Sequence, residues 1–318
     1  MADSRRSSSP PTPEARGGSG SVRLDPKVAE RLAHLSLTAS RVVDGFLSGR
    51  HRSPHRGVSV EFVERRPYVQ GDDLRHLDWR AYARNDRLSI KRYEEETNLE
   101  CTLIVDASGS MGYTGGDGVS KYDQAAQVAA SLAHLILRER DGAAMALFDQ
   151  RLDKVLPAST SPGHLEPILL SLASRVPEGE TDFAEVLGRM TDRIPRPGLV
   201  VLISDLFGDP DTLARGLDRL VTRNHELIVL HVMHRDELQF PYDRLTRFEG
   251  LEGDGRLLVD AAALRESYLK QLGAWRETVR KLCHVRGGDY HLIDTGTPLE
   301  VSLSAYLGAR AARRGGGR

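Results

Sequence analysis

Cys101-Thr102-Leu103-Ile104-Val105-Asp106-Ala107-Ser108-Gly109-Ser110-Met111 is the stretch that decides the fold of this chain. Its apolar, β-branched run ends abruptly in an acid and a Ser/Gly turn, which is typical of a buried parallel strand. Open α/β sheets place their binding sites at the carboxyl ends of such strands. We therefore expect the chemistry of this chain to lie at Asp106.

A second stretch repeats this pattern. Leu199-Val200-Val201-Leu202-Ile203-Ser204-Asp205 is again an apolar run that ends in an acid. Further apolar runs, at 143–148 and 227–232, alternate with segments of helical periodicity. This alternation predicts an α/β fold: a doubly wound, mostly parallel sheet with helices on both faces. Asp106 and Asp205 can meet only if their strands are neighbours in that sheet.

The composition excludes some broad classes of function. The 318 residues include 44 basic and 45 acidic side chains, and the net charge of -1 gives no overall field for nucleic acid. The two cysteines, Cys101 and Cys283, make neither a disulfide framework nor a zinc site, so we expect buried free thiols. No run approaches the roughly 18 apolar residues that a membrane span requires. We expect a cytoplasmic protein without a membrane span.

The sequence divides into four segments. The Ser/Pro/Gly-rich start has little to bury and predicts disorder. Asp25-Pro26 is typical of a helix start, and two alternating segments, Val58–Val63 and Leu88–Tyr93, predict strands of a small β subdomain. The predicted division is a disordered leader at 1–24, the N-terminal helix plus small β subdomain at 25–98, the α/β domain at 99–308 and an Arg/Gly-rich tail at 309–318.

A polar segment at 65–84 lies between the two predicted strands of the subdomain. It interleaves five arginines with Asp72, Asp73 and Asp78. One interpretation is a recognition surface. The other is a network of Arg/Asp hydrogen bonds that holds the loop, with Trp79 as its apolar anchor. The sequence leaves both open.

The loop after the first predicted strand carries oxygen ligands only. Asp106, Ser108 and Ser110 offer one carboxylate and two hydroxyls within five residues. Such hard ligands suit Mg²⁺ (or Mn²⁺), whereas zinc prefers His or Cys, and neither residue occurs in this loop. A divalent hard cation is therefore expected here.

This loop resembles the D-x-S-x-S motif of von Willebrand factor A domains. In those domains a Thr and an Asp from later loops complete the metal-ion-dependent adhesion site. Thr181, in Gly-Glu-Thr-Asp, and Asp205, in Ile-Ser-Asp, follow in the matching order. The resemblance thus implies a metal site made of Asp106, Ser108, Ser110, Thr181 and Asp205. One departure is that Asp205 is followed by Leu206-Phe207 where adhesion-type domains often have glycine.

Short blocks of sequence upstream of this loop make the resemblance more specific. They look like the signature of the bacterial domain-of-unknown-function-58 family, and the similarity runs from about Gly49 to Leu307. The matching blocks are Ser59-Val60-Glu61-Phe62, Arg66-Pro67-Tyr68, Gly71-Asp72-Asp73, Asp78-Trp79-Arg80, Ala83-Arg84 and Tyr93-Glu94-Glu95-Glu96. The resemblance implies a non-enzymatic, metal-dependent protein-interaction module whose partner offers an Asp or Glu to the ion. It also implies an adaptor role with a MoxR-type AAA+ ATPase.

Two other functions compete with this one. Mg²⁺-dependent phosphatases and phosphotransferases of the haloacid-dehalogenase kind also begin from a strand-end Asp, but they use D-x-D, and here Ser108 replaces the second acid. Nucleic-acid binding through the basic N-terminal segment would rest on Arg50, Arg52, Arg56, Arg65 and Arg66, yet acids are interspersed and an aromatic platform is missing. A site that is only structural, or a relic, is a further alternative.

Overall fold

A computed structural model describes residues 25–50, 64–69, 79–85, 88–92, 99–116, 118–253 and 255–315. The predicted leader at 1–24, the predicted strand Val58–Val63 and residues 70–78 of the polar segment at 65–84 lie outside these residues. The predicted α/β domain at 99–308 lies within them, except for Asp117 and Asp254.

The centre of the fold is a six-stranded sheet. Its strands are β3 (Glu100–Asp106), β4 (Gly142–Phe148), β5 (Leu152–Ser159), β6 (Leu199–Ser204), β7 (Glu226–Met233) and β10 (Asp289–Asp294). They lie side by side in the order β10-β7-β6-β3-β4-β5. All neighbours are parallel except β4 and β5, which are antiparallel. The predicted von Willebrand A-like, doubly wound, mostly parallel sheet is confirmed.

Helices cover both faces of the sheet. One face carries α1 (Pro26–Arg50), α3 (Lys121–Arg138), α4 (Leu165–Ser174) and α9 (Leu299–Gly315). The other carries α5 (Phe183–Arg193), α6 (Pro210–Thr222) and α8 (Ala261–Val285). Each strand contributes alternate side chains to the two cores: Leu103 and Val105 face the first, and Ile104 faces the second. Because both of their faces are covered, the inner strands β3, β4, β6 and β7 are mainly apolar and buried.

The strand order places β3 beside β6. These two strands form the point where the order of the sheet reverses, and ligands of open α/β sheets bind in the crevice at such a point. Leu103 pairs with Val201 and Val105 with Ile203, so both strands end at the same edge. The condition for bringing Asp106 and Asp205 together is met.

The N-terminal part differs in detail from prediction. β1 (Glu64–Pro67) pairs antiparallel with β2 (Ser89–Arg92), which confirms a strand within Leu88–Tyr93. The last residues of the polar segment predicted at 65–84 form a short helix, α2 (Trp79–Asn85), instead of a loop. The role of Trp79 as an apolar anchor is wrong, because the side chain is 63% exposed; among the described rings it meets Tyr82 edge-on.

Other elements extend or add to the predicted ones. α9 continues to Gly315, into the predicted Arg/Gly-rich tail, because 309–314 is rich in alanine and arginine, which favour helix. Arg310 in this part donates to the carboxylates of Asp289 and Glu226. A short helix, α7 (Arg235–Gln239), and a hairpin of β8 (Leu245–Glu249) and β9 (Arg256–Asp260) follow β7 and were not predicted.

Two features concern cysteines and membranes. Cys101 and Cys283 are both free and buried, as expected, and burial raises the pKa of each thiol to about 12. Within the described residues, no helix combines the length and the apolar character that crossing a bilayer requires.

Candidate metal-binding site at the end of the central strands

Asp106 ends β3 and is fully buried. Its Oδ1 accepts a hydrogen bond from the Ser108 amide at 2.9 Å, which folds the loop back over the strand end. Its Oδ2 accepts one from the Ser204 hydroxyl at 2.5 Å, and Ser204 is the last residue of β6. The carboxylate is therefore held in one orientation by both central strands.

Ser108 and Ser110 lie on the same side of this loop. Their Oγ atoms are 3.2 Å apart, and a single turn of 3₁₀ helix over Gly109–Gly112 follows Ser108. The Gly109 amide donates to the carbonyl of Gly179 at 2.7 Å, which attaches this loop to the one that precedes α5. The structure thus brings Asp106, Ser108 and Ser110 together.

Thr181 and Asp182 have separate roles. Asp182 is the N-cap of α5 and accepts from the Glu185 amide at 3.0 Å, so the capping of this helix does not involve Thr181. Thr181 is half-buried and makes no side-chain hydrogen bond to another described residue. Its loop contacts the Ser108 loop through the Gly109–Gly179 hydrogen bond, and among the described residues no hydrogen bond joins Thr181 to the other four predicted ligands.

Asp205 follows β6 directly and is 1% exposed. Its Oδ1 accepts from the Phe207 amide at 3.1 Å, and the nearby Ser110 hydroxyl helps to lower the pKa of this carboxylate. The next residue, Leu206, has a φ of 57°, in the left-handed region that favours glycine. Its burial, at 1% exposed, and a 2.8 Å hydrogen bond from its amide to the Ser204 hydroxyl hold it there.

Lys121 was not predicted as part of the site. It begins α3, is 1% exposed, and donates from Nζ to Asp205 Oδ2 at 2.7 Å and to Glu237 Oε1 at 2.8 Å. The ammonium also lies 5.3 Å from the centre of the Phe207 ring. The sequence signal was weak because these two carboxylates are 84 and 116 residues away.

The two strand-end carboxylates affect each other. Burial raises the pKa of Asp106 to about 7, and the negative charge of Asp205 contributes to that rise. Burial also acts to raise the pKa of Asp205, but the Lys121 ammonium outweighs it and the pKa of Asp205 is lowered. When Asp106 is ionised, the two buried carboxylates carry one more charge than Lys121 neutralises, which favours binding of a further cation.

Glu252 is a second group that sequence reasoning missed. It lies at the tip of the β8–β9 hairpin, and its Oε1 accepts from the Ser110 amide at 3.1 Å. The hairpin also lines a cavity of about 420 Å³, together with Ser110 and aromatic rings such as Tyr113, Phe207 and Phe248. The signal available in the sequence was the turn Glu252-Gly253-Asp254-Gly255 between two alternating segments.

The histidines near this edge have structural roles. His231 is buried and hydrogen-bonds through Nδ1 to the Tyr290 hydroxyl at 2.7 Å, and burial lowers its pKa to about 3. His234 caps α7 through Nδ1, which accepts from the Asp236 amide. Among the described residues, His, Cys, Asp and Glu nowhere gather in groups of three or more that could hold an ion. A cation at this edge would therefore depend on hydroxyl oxygens.

Known proteins similar to this chain come from bacteria and eukaryotes. The uncharacterized proteins Rv1480 of Mycobacterium tuberculosis and Mb1516 of Mycobacterium bovis are each 27% identical over 296 residues, which cover 92% of this chain and of theirs. BatB from Bacteroides thetaiotaomicron is 16% identical, with 67% of this chain and 99% of that chain covered and a TM-score of 0.43. Manganese-loaded TRAP of Plasmodium vivax is 17% identical, with 62% and 68% covered and a TM-score of 0.37.

The family assignment rests on a match that covers most of the chain. Residues 64–278 match the family described as "Protein of unknown function DUF58". The matched range begins at β1 and ends within α8, so it includes both central strands and the loops at their ends. This protein therefore belongs to the DUF58 family and has a von Willebrand A-like fold.

Proposed function

We propose that this chain is a non-enzymatic module that binds a protein partner through a divalent cation. The single observation that carries the proposal is the convergence of Asp106 and Asp205 at the crevice between β3 and β6, together with the hydroxyls of Ser108 and Ser110. Each of these groups offers an oxygen, which is the ligand type that Mg²⁺ and Mn²⁺ prefer.

The donor set fits such an ion in chemistry and in charge. Asp106, Asp205, Ser108, Ser110 and Thr181 would hold it, and several of them would act through water. Hydroxyls are neutral ligands, so the ion would keep most of its positive charge and attract a carboxylate from a partner. Lys121 supports this arrangement by keeping Asp205 ionised and fixed.

A MoxR-type AAA+ ATPase is the partner that we propose. The support is the resemblance to A-domain proteins that are encoded beside such ATPases, which is an argument by association. The phosphatase alternative lacks a second acid at position 108. A binding module is the simpler interpretation of a site whose side chains are held in fixed hydrogen bonds.

The experiment uses the full chain on a biolayer sensor and a purified MoxR-type ATPase from the same organism. Binding is measured in millimolar Mg²⁺ and again in chelator. We expect binding in Mg²⁺ that chelator and Asp106→Ala abolish, and that Thr181→Ala weakens. Asp192→Ala is the matched control, because Asp192 pairs with Arg223 on the surface, away from the strand ends. Binding that survives both the chelator and Asp106→Ala would exclude a metal-dependent module.

A further inference from the structure

The tip of the β8–β9 hairpin lies directly on the loop that carries Ser108 and Ser110. Glu252 Oε1 accepts from the Ser110 amide, and the hairpin backbone approaches Gly109 closely. A Cβ at position 109 would lie 2.5 Å from the Leu251 carbonyl oxygen and 3.3 Å from Glu252 Cγ. Only glycine leaves room for this contact, so the hairpin tip and the loop are fitted to each other.

The Glu252 carboxylate is only partly used by these contacts. Its Oε1 has the Ser110 amide as partner, while its Oε2 makes no hydrogen bond to a described residue. Glu252 is half-buried beside a residue whose hydroxyl is a proposed ligand. A free carboxylate oxygen in this position is the kind of group that a partner would offer to the cation.

We propose that Glu252 is an internal ligand, which takes the place of the partner's carboxylate at the cation while the chain is alone. The hairpin is then a cover that a partner must displace. This inference rests on the proposed metal-dependent function and adds the group that competes with the partner.

The attachment of the hairpin is compatible with displacement. It is a separate two-stranded sheet, and isolated two-stranded sheets are marginally stable in water. Leu245, Leu257 and Leu258 on it are 68%, 60% and 61% exposed. Phe248 attaches it to the domain by stacking on Phe240, at 5.7 Å between ring centres. A cavity of about 420 Å³ lies against the hairpin and is lined by Glu252 as well as by Ser110 and Lys121, so the space beside the hairpin tip is not filled by side chains.

The test measures Mn²⁺ affinity by calorimetry and amide hydrogen exchange of residues 245–260, on the full chain. Wild-type protein is compared with Glu252→Gln, which keeps the shape of the side chain and removes its charge. Glu249→Gln is the matched control on the same hairpin, since Glu249 pairs with Arg256 at 2.7 Å instead of with the loop.

We expect Glu252→Gln to weaken Mn²⁺ binding about tenfold, as loss of a group that supports a metal site typically does. Mn²⁺ should slow hydrogen exchange of the hairpin in wild type and in Glu249→Gln, but not in Glu252→Gln. Equal Mn²⁺ affinity and equal protection in Glu252→Gln and wild type would refute the internal ligand and leave the proposed function standing. Absence of Mn²⁺ binding by wild type would refute both.

Discussion

Lys121 Nζ lies 2.7 Å from Asp205 Oδ2, and both side chains are 1% exposed. A buried ion pair of this kind connects the first residue of α3 to the end of β6. It places a permanent cation beside the carboxylates that are proposed to bind a metal. The two cations would share Asp205, so stability and metal binding should be coupled at this residue.

Replacing the lysine tests that coupling. Lys121→Met should lower the free energy of unfolding by about 3 to 5 kcal/mol, because it leaves the buried Asp205 and the partly buried Glu237 without their partner. Mg²⁺ should restore part of the loss, since it supplies a new positive charge. Urea denaturation with and without Mg²⁺ measures both effects.

The control for this variant is a surface pair of the same type. Arg138→Ala breaks the exposed pair with Asp44 and should cost less than about 1 kcal/mol, with no response to Mg²⁺. If Mg²⁺ stabilises Lys121→Met no more than wild type, the lysine and the metal do not share Asp205.

The stability of the metal-free protein should depend on the protonation of Asp106. Its pKa is raised from 3.8 to about 7 in the folded chain, so folding favours the protonated form. The stabilisation from that proton is fully present below the unfolded pKa and is lost as pH rises through about 7. Each tenfold difference in proton affinity is worth about 1.4 kcal/mol.

Asp106→Asn isolates this effect. The amide keeps an oxygen for the Ser108 amide but carries no charge, so the variant should lose less stability than wild type between about pH 5 and about pH 8. Chemical denaturation in chelator across this range is the measurement. Parallel stability curves for the two proteins would show that Asp106 does not titrate there.

Thr181 and Asp182 should separate metal binding from helix capping. Asp182→Ala removes the N-cap of α5 and should cost about 1 kcal/mol of stability, with little effect on the metal. Thr181→Ala should leave stability almost unchanged and weaken Mn²⁺ binding. Thermal unfolding and Mn²⁺ titration of both variants provide the comparison, and normal Mn²⁺ affinity in Thr181→Ala would remove Thr181 from the ligand set.

Leu206 combines an unfavourable backbone with favourable packing. Its φ of 57° costs about 1 to 2 kcal/mol for a residue with a Cβ, while its burial contributes more than that. Leu206→Ala loses the packing and keeps the strain, whereas Leu206→Gly loses the packing and the strain. The glycine variant should therefore be the more stable of the two in urea denaturation, and the reverse order would contradict this interpretation of the β6 end.

The central strands could be predicted from the sequence because burial on both faces leaves a continuous apolar run. The end residues Asp106 and Asp205 followed from the same pattern, since a polar residue after such a run marks the edge of the sheet. Lys121 could not be found in this way. Its role depends on Glu237, which is 116 residues away and has no periodic relation to it.

The hairpin was missed for a different reason. β8 and β9 are short and mostly exposed, so their apolar pattern is weak. Their position over Gly109 is set by tertiary contacts, which no local propensity encodes. The part of the site that would meet a partner was therefore less predictable than the part that is built into the sheet.

Titration of Mn²⁺ into chelator-treated full-length protein, with free Mn²⁺ followed by electron paramagnetic resonance, tests the proposed metal site most directly. We expect one ion per chain that Mg²⁺ displaces, loss of that ion in Asp106→Asn, and its retention in Asp192→Asn. A wild-type chain that binds no Mn²⁺, or an Asp106→Asn variant that binds it equally well, would contradict a metal site at the ends of β3 and β6.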